Sequence, residues 1–154
     1  DVPVGTKFLA VETTGIGAEH PLSGEKLSRV LALYRARDFD DAVALTNRIL
    51  GYLGAGHSVG LHTTDDARAI TLGAATPTCR VIVNQAHCFA TGGAFNNGMP
   101  FSLSMGCGSW GGNSIDENLN WTHFIQTTKV VRQITPREPA LDDIFAGYWA
   151  EVGK

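Results

Sequence analysis

The stretch that decides the fold runs from Val30 to Asn84: VLALYRARDFDDAVALTNRILGYLGAGHSVGLHTTDDARAITLGAATPTCRVIVN. It opens with a short continuous apolar run, Val30 to Tyr34, of the kind that forms a strand covered on both faces in a parallel sheet. Asp38 follows as a helix N-cap, with Asp40 and Asp41 in the first turn, where carboxylates face the positive end of the helix dipole. Ala42, Leu45, Ile49 and Leu53 then recur near the helical period, and Gly54 supplies a stop. Ser58 to Thr63 reads as a second strand. Thr64-Asp65-Asp66 caps a second helix through about Ala75, Pro77 ends it, and Cys79 to Asn84 is a third strand. Upstream, Lys7 to Glu12 (KFLAVE) is one more strand, entering the polar loop TTGIGAEHPLSGEK. Strands alternating with helices predict an α/β fold with a largely parallel sheet and helical crossovers.

Downstream of Asn84 the pattern changes. Residues 86–114 have no clear period, and many of the chain's 18 glycines cluster between Gly92 and Gly112. An aperiodic stretch this long is functional or lacks its neighbours. Residues 116–126 read as a short helix or turn, Thr128 to Ile134 (TKVVRQI) as an amphipathic strand, and LDDIFAGYWAEVGK as a short terminal helix.

Bulk properties narrow the function. With 154 residues, 44% hydrophobic and 18% charged, the chain can build a core. A formal net charge of −3 without clustered Lys and Arg argues against nucleic acid. No run approaches the length needed to cross a membrane, and no signal peptide opens the chain, so a cytoplasmic protein is expected. Cys79, Cys88 and Cys107 are an odd number and form no Cys-x-x-Cys pair, which argues against a disulfide framework and a zinc site. Cys79 reads as a small buried hydrophobe. The phosphate-cradling, nucleophile-elbow and zinc-protease motifs are absent. His20, His62, His87 and His123 carry no spacing signal and read as structural, and the three Trp read as packing anchors.

Three stretches remain: Leu22 to Ser28 (LSGEKLS), Gly56-His57-Ser58, and Met105 to Ser114 (MGCGSWGGNS) followed by Glu117-Asn118. In order and spacing they resemble the C-terminal part of the aldehyde dehydrogenase superfamily, and GCGSWGGNS resembles its CoA-acylating branch, which acts on acetaldehyde, sulfoacetaldehyde or succinate semialdehyde. The resemblance covers residues 2–135 and implies a partial catalytic domain over 1–127, an oligomerisation strand over 128–135, and a tail with a short helix over 136–154. It implies that Glu25 holds the nicotinamide ribose hydroxyls, since a carboxylate accepts from two vicinal donors. Leu27 takes the place where the wider superfamily has an aromatic against the nicotinamide, and Arg29 stands where many relatives have Pro. His57 is implied in acyl transfer, as an imidazole able to take the CoA thiol proton. Gly106, Cys107 and Gly108 match a loop beside the acyl and CoA channel.

The resemblance further implies a parent enzyme that oxidises a small aldehyde with NAD or NADP and CoA as a homo-oligomer. Its nucleophilic Cys and cofactor domain lie upstream, in a missing part of the same enzyme, so the chain alone is expected to be inactive. A small assembly or binding module, contributing an oligomer interface or part of a CoA or nucleotide cleft, is the alternative. A self-contained thiol enzyme using Cys107 or Cys88 with a nearby His is a third reading.

Overall fold

The computed structural model describes residues 2–153. Its contacts divide the chain into two units, one ending at Phe124 and one beginning at Ile125. In the first unit, strand β1 (Leu9–Glu12) pairs in parallel with β2 (Val30–Leu33), Leu9 opposite Val30 and Glu12 opposite Leu33. Helix α1 (Phe39–Tyr52) follows. Then β3 (Val59–Leu61), helix α2 (Asp66–Ala75) and β4 (Val81–Val83) form a βαβ unit whose strands also pair in parallel, Val59 opposite Val81.

The α/β class and the order of elements follow the sequence reading. Asp38 caps α1, its carboxylate accepting from the Asp41 amide at 2.8 Å, and Asp65 caps α2 by accepting from Ala67 at 3.0 Å. The Leu53 amide closes α1 on Ile49 O at 3.0 Å, and Gly54 leaves the helix at φ +103°, the left-handed turn that glycine accepts without a Cβ clash.

The parallel strands form two separate two-stranded sheets, β1–β2 and β3–β4. Alternation in sequence marks strands and a parallel sense, but lateral order is decided by which edges meet, and the edges of β2 and β3 do not. Nor is β2 covered on both faces: Leu31 and Leu33 are exposed and Val30 and Ala32 half-buried. The aperiodic stretch after Asn84 contains a short helix α3 (His87–Ala90) and a 3-10 turn at Ser109–Gly111, elements too short to show a period.

Burial in this first unit is sparse. Among the described residues the buried hydrophobics are Leu72, Ile82 and Ala90, and no large side chain is fully enclosed. Trp110 and Trp121 are exposed and anchor no packing here.

In the second unit, residues 125–140 form no assigned element, so Thr128–Ile134 is not a strand within this chain. A strand exists only through ladder bonds to a neighbour, and no described strand offers one to this segment. Val130, Val131 and Ile134 are exposed. The expected single terminal helix is two: α4 (Leu141–Ile144) and α5 (Ala146–Val152), broken at Phe145, whose ring lies 5.5 Å from that of Trp149.

Candidate active site

A cleft of about 690 Å³ opens where the LSGEK loop, the GHS turn and the glycine-rich loop meet, and it takes in Glu25, Lys26, His57, Ser58, His87 and Cys107. The local chemistry of each segment explains the convergence.

The LSGEK loop is held from within. Ser23 is buried, donates to His20 O at 2.7 Å and accepts from the Gly17 amide at 3.0 Å. Lys26 folds back, its ammonium donating to Leu22 O at 2.6 Å and Gly24 O at 2.8 Å. Gly24 lies against the end of α1, where a Cβ would sit 3.1 Å from Leu53. With the Lys26 charge spent on carbonyls, Glu25 is exposed and makes no hydrogen bond or ion pair among the described residues. Its acceptor sites are free for a vicinal diol. Leu27 is 97% exposed and stands outside the cleft wall.

The glycine-rich loop folds back on residues 115–118. The Gly106 amide donates to Glu117 O and the Gly108 amide to Ile115 O, both at 2.9 Å. A Cβ on Gly106 would overlap the Ile115 backbone. Gly108 adopts φ +57°, ψ −161°, a conformation only glycine holds easily, with Cys79 Sγ and the Asp116 Cβ each 3.1 Å from where its own Cβ would be. Gly106 and Gly108 are thus buried structural positions, while Cys107 between them faces the cleft. Cys107 is half-buried, its amide donates to Asn113 Oδ1 at 2.8 Å, and its thiol is directed at Met105 O at 4.0 Å. Neither imidazole hydrogen-bonds it.

The GHS turn is pinned to the glycine-rich loop. Gly56, at φ +95°, donates to Pro77 O at 2.7 Å and accepts from the Cys79 amide at 3.0 Å. A Cβ there would sit 2.5 Å from Cys107 O, so only glycine lets the two loops touch. Buried Arg80 completes the junction. Its Nη1 donates to His57 O at 3.2 Å and Gly106 O at 2.8 Å, and its Nε donates to Asn118 Oδ1 at 3.0 Å. Asn118, also buried, donates from Nδ2 to Thr91 O and Pro100 O, both at 2.9 Å.

His57 Nδ1 lies 2.6 Å from Ser58 Oγ, which lies 2.8 Å from His87 Nε2. His87 reaches this position because Gly60, two residues beyond Ser58, leaves room for the ring; a Cβ there would lie 2.8 Å from His87 Nδ1. Burial, with a smaller contribution from the neighbouring His57 charge, holds His87 below the ordinary imidazole range. Burial likewise pushes the Cys79 thiol up.

The structure therefore joins Glu25, His57 and Cys107, leaves Leu27 to solvent, and encloses Gly106 and Gly108. It adds Ser58, His87, Arg80 and Asn118, to which the sequence reading assigned no role in the site. The hydrogen bonds that join Ser58 to His87, and Arg80 to His57, Gly106 and Asn118, span 23 to 38 residues, and no local spacing marks them.

No known family profile matches the chain. Over 147 residues it is 53% identical to a sulfoacetaldehyde dehydrogenase (acylating) of Cupriavidus necator, a match covering 96% of this chain and 30% of the relative. It is 39% identical over 129 residues to a succinate-semialdehyde dehydrogenase (acetylating) of Clostridium kluyveri, covering 84% of this chain and 28% of that protein. The crystal structure of an acetylating aldehyde dehydrogenase from Geobacillus thermoglucosidasius superposes with a TM-score of 0.77 at 33% identity, covering 89% of this chain and 31% of the other. The chain thus spans about 30% of the length of these curated relatives.

Proposed function

From the premise that the chain is a partial domain of the acylating aldehyde dehydrogenase type, we propose that it supplies the cofactor-ribose carboxylate and the acyl-transfer imidazole to an enzyme converting a small aldehyde, CoA and NAD or NADP into acyl-CoA and the reduced cofactor. What carries the reading is the cleft itself, which three stretches far apart in sequence line with Glu25, His57 and Cys107.

Each residue has a distinct task. Glu25 accepts from the two ribose hydroxyls, and its freedom from other partners fits that donor pair. The nicotinamide, when bound, supplies the hydride acceptor. His57 takes the proton of the CoA thiol, so that the thiolate attacks an acyl thioester and the enzyme thiol leaves. Cys107 lies along the channel this thiol enters. The attacking thiol and the dinucleotide-binding domain belong to the remainder of a larger enzyme, and residues 128–135 pair with another subunit in a homo-oligomer. Unpartnered, the chain turns over no aldehyde.

In a full-length protein carrying this segment, His57→Ala is expected to leave one burst of reduced cofactor per active site and to abolish CoA-dependent steady-state turnover. Equal loss of burst and steady state would overturn the assignment. For the chain alone, no reduced cofactor is expected from short aldehydes with CoA.

One observation favours a second reading. Cys107 shares its cleft with two imidazoles, so the chain is a candidate self-contained thiol enzyme. Thioester turnover by the chain alone, lost on Cys107→Ser, would establish that reading and remove the first.

A further inference from the structure

The contact chain His57–Ser58–His87 has a consequence that follows from counting protons. A hydroxyl carries one hydrogen and two lone pairs. Ser58 Oγ makes its two close contacts with His57 Nδ1 and His87 Nε2, and among the described residues it has no other acceptor. When both rings are neutral, the hydroxyl donates to one imidazole and the other imidazole donates to it. For His57 to present a bare Nε2 to a thiol in the cleft, its proton must sit on Nδ1. Ser58 must then accept from His57 and donate to His87 Nε2.

We propose that His87 is a positioning residue: through the Ser58 hydroxyl it takes the hydrogen bond that fixes His57 in the Nδ1–H tautomer, leaving Nε2 as the base. The proposal deepens the acyl-transfer reading of His57 and rests on it. Three features of the site support it. Gly60 gives the His87 ring its place over β3. Arg80 holds the His57 backbone carbonyl, while Ser58 holds the ring at Nδ1. Burial disfavours the charged His87 ring, which could only donate to Ser58 and would turn the hydroxyl hydrogen toward His57 Nδ1; a neutral His87 with its proton on Nδ1 accepts from Ser58 at Nε2. The other titratable groups on the cleft wall are Glu25, Lys26, Tyr34 and Cys107. None of them hydrogen-bonds either ring. Lys26 is occupied with Leu22 and Gly24, and Tyr34 donates to Gly15 O at 3.0 Å.

The test needs no turnover, so it can fail independently of the acyl-transfer assignment. The full chain is labelled with 15N-histidine, and ring tautomers are read by long-range proton–nitrogen correlation at mildly alkaline pH. The expected result is His57 protonated on Nδ1 and bare on Nε2, with His87 bare on Nε2. In His87→Ala, the released hydroxyl donates to His57 Nδ1 and the His57 proton moves to Nε2. Ser58→Ala removes the bridge and leaves His57 with the tautomer mixture of a solvated ring. In His87→Gln, the amide oxygen accepts from Ser58, and the Nδ1–H form is restored. A wild-type His57 protonated on Nε2 overturns the proposal. So does a His57 tautomer unchanged in both His87→Ala and Ser58→Ala while the amide spectrum stays native. If the His57 burst experiment fails while these tautomers are found as stated, the bridge stands and the role of His57 in acyl transfer falls.

Discussion

Arg80 donates from one nitrogen, Nη1, to the carbonyl oxygens of both His57 and Gly106, at 3.2 and 2.8 Å. A single buried guanidinium thus ties the strand entry that carries the imidazole to the loop that carries Cys107. Its Nε reaches Asn118, which in turn holds the backbone at Thr91 and Pro100. Replacing Arg80 with Met keeps much of the volume but leaves two carbonyls and the Asn118 amide oxygen without their donor. Each buried unpaired group costs roughly 1–3 kcal/mol, so with three of them Arg80→Met is expected to lower stability by about 3 kcal/mol or more. Urea unfolding measures this. A midpoint unchanged from wild type would mean that the hub holds nothing.

Asn118→Ala removes another part of the same hub. It deprives Arg80 Nε of its acceptor and Thr91 O and Pro100 O of their donor. Because the two residues share a hydrogen bond, the double variant Arg80→Met with Asn118→Ala should be less destabilised than the sum of the singles, by about 0.5–3 kcal/mol. Simple additivity in a double-mutant cycle would contradict the contact.

Gly56 tests the approach of the two loops. Its φ of +95° already disfavours any other residue, and an added Cβ would press on Cys107 O and lie 2.8 Å from Gly111 N, both backbone atoms. Gly56→Ala should therefore destabilise by about 1–3 kcal/mol and shift the amide resonances of Cys107 and Gly111. Gly60→Ala is different in kind. There the clash is with the His87 ring, a side chain that can swing away. The fold should survive, with a loss of about 1 kcal/mol or less, while the His87–Ser58 contact is broken. A Gly60→Ala protein with unaltered His87 ring resonances would show that the ring does not pack there.

Much of the first unit was legible in sequence because its signals are local. Asp38 and Asp65 announce their helices by capping them, and the runs around Val30 and Ile82 mark strands. The cleft was legible in part, through Glu25 and His57. What sequence could not give was lateral assembly. That β2 and β3 stay apart, and that Ser58 finds His87, depends on packing between segments with no shared period. Nor does alternation over Thr128–Ile134 decide whether a strand forms, since its ladder bonds must come from outside the segment.

The histidine bridge also sets a pH dependence. His87 is held below the ordinary imidazole value of about 6.5, first by burial and second by the His57 charge. In the unfolded chain it binds a proton at about 6.5, while in the folded chain it resists until lower pH. Between these points the unfolded state carries more protons, so stability rises with pH across the window and is complete above about 6.5. On acidification the contribution falls away, and below the folded value of His87 the loss is complete. Glu25, Lys26, Tyr34, His57 and Cys107 share the cleft and are the background against which this is read. Unfolding free energies measured through this window for wild type and His87→Gln should diverge: the wild type gains stability as pH rises, and the variant loses that part of the slope. Parallel curves would place the proton elsewhere and leave His87 with no titration to contribute.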